Sequence, residues 1–127
     1  MKMNKDVETR DIKLFGEYDP NKYMGGIRNF DQIDVSTLKW LVENNYANPD
    51  EQQNLAPSIQ EFIDFMETHE GYFAGGYAVS EKRDDYRVSI DNISRNTDIP
   101  TKDEIAAFVN FASSADELDA KGFAWWD

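Results

Sequence analysis

The stretch that decides the fold is SIQEFIDFMETHEGYFAGGYAVSEKRDDYRVSI, residues 58–90 of a 127-residue chain. Its first part predicts an amphipathic helix. Ser58 and Glu61 have the S-x-x-E spacing of a capping box, which marks a helix start. Apolar residues then recur with helical period on a face about 100° wide, namely Ile59, Phe62, Ile63 and Met66. Gly71 predicts the end of this helix.

From Tyr72 onward the apolar period changes to two, which predicts an antiparallel hairpin with a polar tip at 81–85. We expect alternate side chains of both strands to form one buried face. These are Phe73, Tyr77 and Val79 on the first strand and Tyr86, Val88 and Ile90 on the second. The pair Gly75-Gly76 predicts a bulge or a close approach of two backbones.

Outward from this stretch, two more helices and one strand are predicted. One helix begins near Val35, with Asp34 or Ser36 as its cap. Another follows Thr101, which repeats the capping-box spacing with Glu104. Residues 123–127 predict a strand added to the hairpin, and 27–33 allow a short extended piece. The predicted fold class is α+β, with three helices packed on one face of a small antiparallel sheet formed by the hairpin and the C-terminal strand.

Length and composition predict a single domain over residues 1–127, with the polar residues 1–10 frayed. Hydrophobic residues make up 40% of the chain and aromatic residues 13%, too much for a disordered acidic chain. The absence of cysteine excludes disulfides and thiolate metal sites. Because no apolar run approaches the roughly 18 residues of a membrane span and no signal-peptide pattern is present, we expect a cytoplasmic protein without membrane contact.

The charge of the chain is strongly negative, and the acidic residues of its middle part are not balanced by Lys or Arg. The net charge is −12, and residues 40–81 contain eight carboxylates and no basic residue. Such a surface attracts positive partners. It disfavours direct binding to a nucleic acid, which requires Lys and Arg at the phosphates.

An acidic stripe on the best-marked helix is the leading candidate site. Glu61, Asp64 and Glu67 lie together, and like charges at this spacing destabilise a helix by a few tenths of a kcal/mol. A solvated face is the alternative interpretation. The functional interpretation is that carboxylates stand where a basic nucleic-acid-binding protein expects phosphates. The candidate partner-binding residues are Glu43, Asp50, Glu51, Glu61, Asp64, Glu67, Glu70, Asp116, Glu117 and Asp119.

Catalytic and metal motifs are not recognisable. Adjacent acids such as Asp50-Glu51 lack the spacing of a calcium loop or the pattern of a glycosidase pair. His69, the only histidine, stands at a helix end and has no recognisable triad partners. Phosphate-binding glycine loops are missing as well. We therefore expect no enzyme activity, no metal and no cofactor.

A winged-helix interpretation of the two helices and the hairpin is less favoured. The only basic cluster, Lys82, Arg83 and Arg87, lies at the hairpin tip, where neighbouring acids neutralise it. The would-be recognition helix is itself acidic.

The tryptophans support an alternative function. Adjacent Trp125 and Trp126 point to opposite faces if they lie on a strand. One of them is then exposed or covered by the N-terminal arm, and exposed Trp is a common interface anchor. A general interaction module or homodimer, with an apolar patch around Trp40, Trp125 or Trp126, is therefore the second hypothesis.

The segments GYAVSEKRDDYRVSIDNI (76–93) and FVNFASSADELDAKGFAWWD (108–127) resemble small acidic proteins of uncharacterised role from phages and conjugative elements. This resemblance implies a mobile-element context, in which small acidic proteins often inhibit host defence as anti-restriction or anti-CRISPR proteins. The preferred hypothesis is a non-enzymatic inhibitor or decoy, a DNA mimic acting in the bacterial host cell.

Overall fold

The computed structural model of the chain describes residues 2–96 and 100–127. Within these ranges it contains four α-helices and five strands. The helices are α1 (Val7–Phe15), α2 (Val35–Glu43), α3 (Ile59–Thr68) and α4 (Lys102–Phe111). The strands are β1 (Ile27–Ile33), β2 (Tyr72–Val79), β3 (Val88–Arg95), β4 (Glu117–Asp119) and β5 (Phe123–Trp125). None of the helices in the described ranges is long and apolar enough to cross a bilayer.

The strands form one antiparallel sheet in the order β1-β2-β3-β5-β4. The predicted α+β class is confirmed, and so are the β2–β3 hairpin and the addition of the C-terminal strand β5 beside β3. The predicted count is wrong, because β1 and β4 extend the sheet on its two edges and α1 adds a fourth helix to the described residues. The edge strand β4 has only three residues, so it offers no alternation to detect.

Both predicted capping boxes are confirmed. The Ser58 hydroxyl accepts from the Glu61 backbone amide at 3.1 Å, and the Glu61 carboxylate accepts from the Ser58 amide at 3.0 Å. Thr101 and Glu104 repeat this arrangement on α4. These bonds satisfy amides that a helix start otherwise leaves without a partner.

The hydrophobic core lies between the helices and one face of the sheet. Phe62 of α3 packs edge-to-face against Trp126, and Phe108 of α4 stacks on Tyr72 of β2 at 5.3 Å between ring centroids. Leu38 and Leu41 of α2 are completely buried in the same cluster. We name this side of the sheet the helix face.

The helix face of β2 differs from the predicted one. Tyr72, Ala74 and Ala78 are buried there, whereas Phe73 and Tyr77 point to the opposite side and are only partly buried. Gly76 lies opposite Phe30 of β1 in the strand ladder. The predicted alternation is therefore confirmed, but the predicted face is wrong for Phe73 and Tyr77.

The Gly75-Gly76 pair has the predicted role. The register between β2 and β3 shifts at this point, so that Asp91 is the extra residue of a bulge. A Cβ on Gly76 would lie 1.9 Å from the backbone oxygen of Ser89. Only glycine permits this approach of the two strands.

The helix α1 begins at Val7, so part of residues 1–10, which are predicted to be frayed, lies in a helix. Arg10 and Asp11 of α1 are both 0% exposed. The Arg10 guanidinium donates to Asp11 Oδ1 (2.9 Å), the Val79 carbonyl (2.9 Å) and Tyr23 Oη (2.7 Å), and the Tyr23 hydroxyl donates to Asp11. A hydropathy pattern indicates exposure for such residues, since burial of charge requires a partner that the pattern does not reveal.

Candidate functional site

Five of the predicted acidic residues lie together on the outer side of α2 and α3. We name them the α2–α3 acidic surface: Glu43, Glu61, Asp64, Glu67 and Glu70. All five are exposed. Glu43 and Glu67 line a shallow hollow between the two helices, and Glu67 and Glu70 line a second hollow at the C-terminal end of α3. The structure therefore brings these carboxylates onto one continuous side of the molecule.

One basic residue enters this surface. Lys39 Nζ lies 3.1 Å from Glu67 Oε2, and both side chains are more than 40% exposed. An exposed pair of this kind contributes only about 0–1 kcal/mol. The gap in basic residues along the sequence is therefore not a complete gap in space, since α2 places Lys39 beside α3.

Two further members of the surface have local structural partners. Glu61 caps its own helix, and Asp64 accepts from Gln60 Nε2 at 3.0 Å. In the described part of the chain, no Lys or Arg lies within ion-pair distance of Glu43, Glu61, Asp64 or Glu70. These four carboxylates present uncompensated negative charge to solvent.

Glu51 has an internal role instead. Its carboxylate accepts from the Ser89 hydroxyl at 2.9 and 3.1 Å and pairs with Arg87 Nε at 2.9 Å. Burial raises the pKa of Glu51 above its ordinary value, against the opposing effect of Ser89 and Arg87. Its neighbour Asp50 is exposed in the loop before α3. Glu51 thus ties this loop to the sheet and is poorly placed to meet a partner.

The C-terminal acids lie on a different side of the molecule. Glu117 pairs with Trp125 and Asp119 with Phe123 across the β4–β5 ladder. Residues paired in this way share a face, and the intervening pair of Leu118 with buried Ala124 occupies the helix face. Glu117 and Asp119 therefore point away from the helices. They do not extend the α2–α3 acidic surface, and Asp116 accepts from the Asp127 amide at 2.7 Å.

The basic hairpin tip is neutralised within the molecule, as its sequence indicates. Arg83 makes two hydrogen bonds to the Asp85 carboxylate, at 2.7 and 2.8 Å. Arg87 pairs with both Asp85 and Glu51. Lys82 is the remaining exposed cation of this cluster. A wing that reads nucleic acid needs more free positive charge than this.

Trp125 and Trp126 point to opposite sides of the sheet, as adjacent residues of an extended chain do. Trp126 is 1% exposed in the core, and its Nε1 donates to Ser114 Oγ at 3.0 Å. Trp125 points to the opposite side and is partly exposed. Trp40 is also partly exposed and stacks on Tyr46 at 5.5 Å. Among these residues, Trp125 is the one on the sheet face away from the helix layer.

That sheet face also carries Phe73 and Tyr77, which the alternation predicts to be on the buried face. We name it the open face, because in residues 2–96 and 100–127 the helices pack on the other side. Its side chains include Phe73, Tyr77, Asn92, Ser94, Phe123 and Trp125. Phe123 is 39% exposed. The strand register, which the sequence pattern specifies only to within one residue, decides this placement.

The remaining candidates for chemistry have structural explanations. The His69 ring stacks on Phe65 at 4.1 Å, and its Nδ1 lies 2.9 Å from the Phe65 carbonyl. Within the described ranges, no three His, Asp or Glu side chains are grouped so that they would hold a metal ion.

Comparison with known proteins provides no further guide to the site: no family model, no curated protein and no solved structure matches this chain.

Proposed function

We propose that this protein is a non-enzymatic inhibitor or decoy from a mobile element, which presents the α2–α3 acidic surface to a basic groove of a nucleic-acid-handling protein. The host-defence proteins targeted by anti-restriction or anti-CRISPR proteins are the partner class. The bacterial cytoplasm is the proposed location. The observation that carries the proposal is the grouping of five exposed carboxylates, of which only Glu67 pairs with a basic side chain among the described residues.

The physical basis is electrostatic mimicry. Carboxylates held on a helix present acceptor oxygens to Arg and Lys side chains that otherwise contact phosphates. A net charge of −12 adds a long-range field that accelerates encounter with a basic protein.

The proposal is tested by capture followed by competition. The chain is immobilised as bait in a bacterial extract, bound proteins are eluted with salt, and each is purified. The captured protein should bind DNA, and adding the chain should displace that DNA. The affinity of the chain should fall steeply as ionic strength rises, because exposed charges are screened. Unchanged affinity across the salt series, or simultaneous binding of DNA and the chain, would contradict the proposal.

A further inference from the structure

At one end of the open face, aromatic residues of β2 and β5 share cross-strand rows with acidic residues of the edge strand β4. One cross-strand row contains Phe73, Ser94, Phe123 and Asp119, and the next contains Gly75, Asn92, Trp125 and Glu117. We name the aromatic and acidic members of these rows the aromatic–acidic patch: Phe73, Phe123, Trp125, Glu117 and Asp119. Since neighbouring strands are about 4.8 Å apart, Phe73 and Phe123 lie about 10 Å apart on either side of the small Ser94.

This protein uses the same combination of groups elsewhere to hold its own arginines. Four guanidinium groups lie over an aromatic ring and also pair with a carboxylate, a geometry in which cation–π attraction and an ion pair act together. One of them is the buried Arg10, with Tyr86 and Asp11. The other three sets are Arg28 with Phe15 and Glu17, Arg87 with Tyr77 and Glu51, and Arg95 with Tyr72 and Glu104.

The Arg87 set is on the open face itself. Arg87 lies 5.4 Å from the ring centroid of Tyr77 and donates to the Tyr77 hydroxyl at 2.9 Å. Tyr77 therefore has its cation within the molecule. At the other end of the same face, the aromatic–acidic patch has no cationic side chain among the described residues. In the described ranges no Lys or Arg lies over the rings of Phe73, Phe123 or Trp125, or pairs with Glu117 or Asp119.

We infer that the aromatic–acidic patch is a docking surface for an arginine-containing segment of a partner protein. The rings supply faces on which a guanidinium stacks, and Glu117 and Asp119 supply its counter-charge. A second copy of this chain does not fit, because it would bring two chains of net charge −12 together through like-charged rims. Charge complementarity thus selects a basic partner, and the aromatic rings favour arginine over lysine within it.

This inference deepens the proposed function and rests on it for the basic character of the partner, but it uses a different surface. Glu117 and Asp119 face away from α3, so a partner that engages both surfaces must wrap around the molecule. The two surfaces can be tested separately, because the residues whose NMR resonances shift on addition of a ligand show which surface the ligand binds.

The test uses blocked octa-arginine and octa-lysine peptides as probes. Each is titrated into the ¹⁵N-labelled chain, and amide and indole resonances are followed by NMR. We expect octa-arginine to shift the Trp125 indole and the amides around Ser94 and Phe123. Octa-lysine, at equal charge, should bind the patch several-fold more weakly, because an ammonium group does not stack on an aromatic ring as a planar guanidinium does.

Matched variants sharpen the assignment. Phe123→Leu keeps an apolar side chain but removes the π face, and should weaken octa-arginine binding about five-fold. Glu117→Gln with Asp119→Asn should weaken it as well. The control, Tyr18→Leu, changes an aromatic residue of similar exposure (37%, against 39% for Phe123) away from the patch, and should leave affinity unchanged. An unaltered amide spectrum elsewhere shows that each variant is folded.

The outcomes separate this inference from the proposed function. Shifts confined to α2 and α3, or equal shifts with both peptides, overturn the patch while leaving the α2–α3 acidic surface as proposed. Shifts that are confined to the patch and are lost in Phe123→Leu support the inference. They would also show that a basic segment does not bind the α2–α3 acidic surface, which contradicts the proposed function. A chain that binds neither peptide overturns both.

Discussion

Replacement of Arg10 by Met tests how firmly α1 is joined to the sheet. The guanidinium is completely buried and makes three hydrogen bonds, of which one crosses to the Val79 carbonyl of β2. Arg10→Met leaves the Asp11 carboxylate buried with Tyr23 as its hydrogen-bond donor and without its counter-charge. Loss of one partner from a buried ion pair costs about 3–5 kcal/mol.

The free energy of unfolding is measured by urea denaturation, followed by circular dichroism. A loss of this size is a large fraction of the roughly 5–15 kcal/mol that stabilises a domain. It should lower Tm by about 10–20 °C, since 1 kcal/mol shifts Tm by about 2–8 °C depending on chain length. The control is Lys13→Met on the same helix, where an exposed side chain is expected to cost at most about 1 kcal/mol with its contact to Trp40.

A double variant distinguishes the orphaned charge from simple loss of packing. Arg10→Met with Asp11→Leu removes both charges, and buried pairs replaced by apolar residues are often neutral or better. The double variant should therefore be more stable than Arg10→Met alone. If Arg10→Met costs less than about 1 kcal/mol, the buried placement of α1 against the hairpin is refuted.

Two further predictions concern the sheet. Gly76→Ala should destabilise the chain by at least about 2–3 kcal/mol in the same urea assay, because its Cβ would meet the Ser89 backbone oxygen at 1.9 Å. Gly75→Ala is its control and should cost less, since its Cβ would meet only a side chain; equal costs would contradict this account of the bulge. The second prediction follows from burial, which raises the pKa of Asp91 with a further contribution from Asp31. A raised pKa in the folded state means that the ionised form is disfavoured there, so stability from this group is present at low pH and lost as pH rises through the raised pKa. Asp91→Asn should therefore be more stable than the natural chain at neutral pH, and the advantage should vanish below the ordinary carboxyl pKa of about 4; a pH-independent difference in Tm would contradict it.

The parts of the fold that local physics determines were predictable from sequence. The Ser58 and Thr101 capping boxes mark α3 and α4, because each satisfies backbone amides within one helical turn. The change of period at Tyr72 likewise marks the hairpin. The helix α1 was missed because its buried face includes Arg10 and Asp11, whose burial depends on Tyr23 and Val79, far from them in the sequence.

The candidate site is predictable from sequence only where it depends on local helix geometry, and not where it depends on tertiary contacts. Glu61, Asp64 and Glu67 share one side of α3 because residues three apart on a helix are neighbours. Glu43 of α2 and Glu70 beyond the end of α3 join them only through tertiary packing. The pairing of Lys39 with Glu67 and of Arg87 with Glu51 depends on tertiary packing. The open face depends on strand register, and a change of one residue exchanges the two faces of a sheet. A sequence pattern alone therefore did not separate the α3 acids from Glu117.

The most direct test of the central claim is charge reversal within the α2–α3 acidic surface. Glu43→Lys, Asp64→Lys and Glu70→Lys are combined in one variant, which spares the cap at Glu61 and the Lys39–Glu67 pair. The control variant makes the same change of charge at exposed acids elsewhere, with Glu8→Lys, Asp84→Lys and Asp103→Lys.

Both variants should stay folded, because exposed substitutions usually change stability by less than about 0.5 kcal/mol each. Affinity for the purified DNA-binding partner is then measured by titration calorimetry. The account predicts that the surface variant loses at least about 100-fold, since each lysine meets a basic groove with repulsion, while the control loses far less. A folded surface variant that binds the partner as tightly as the control would contradict the claim.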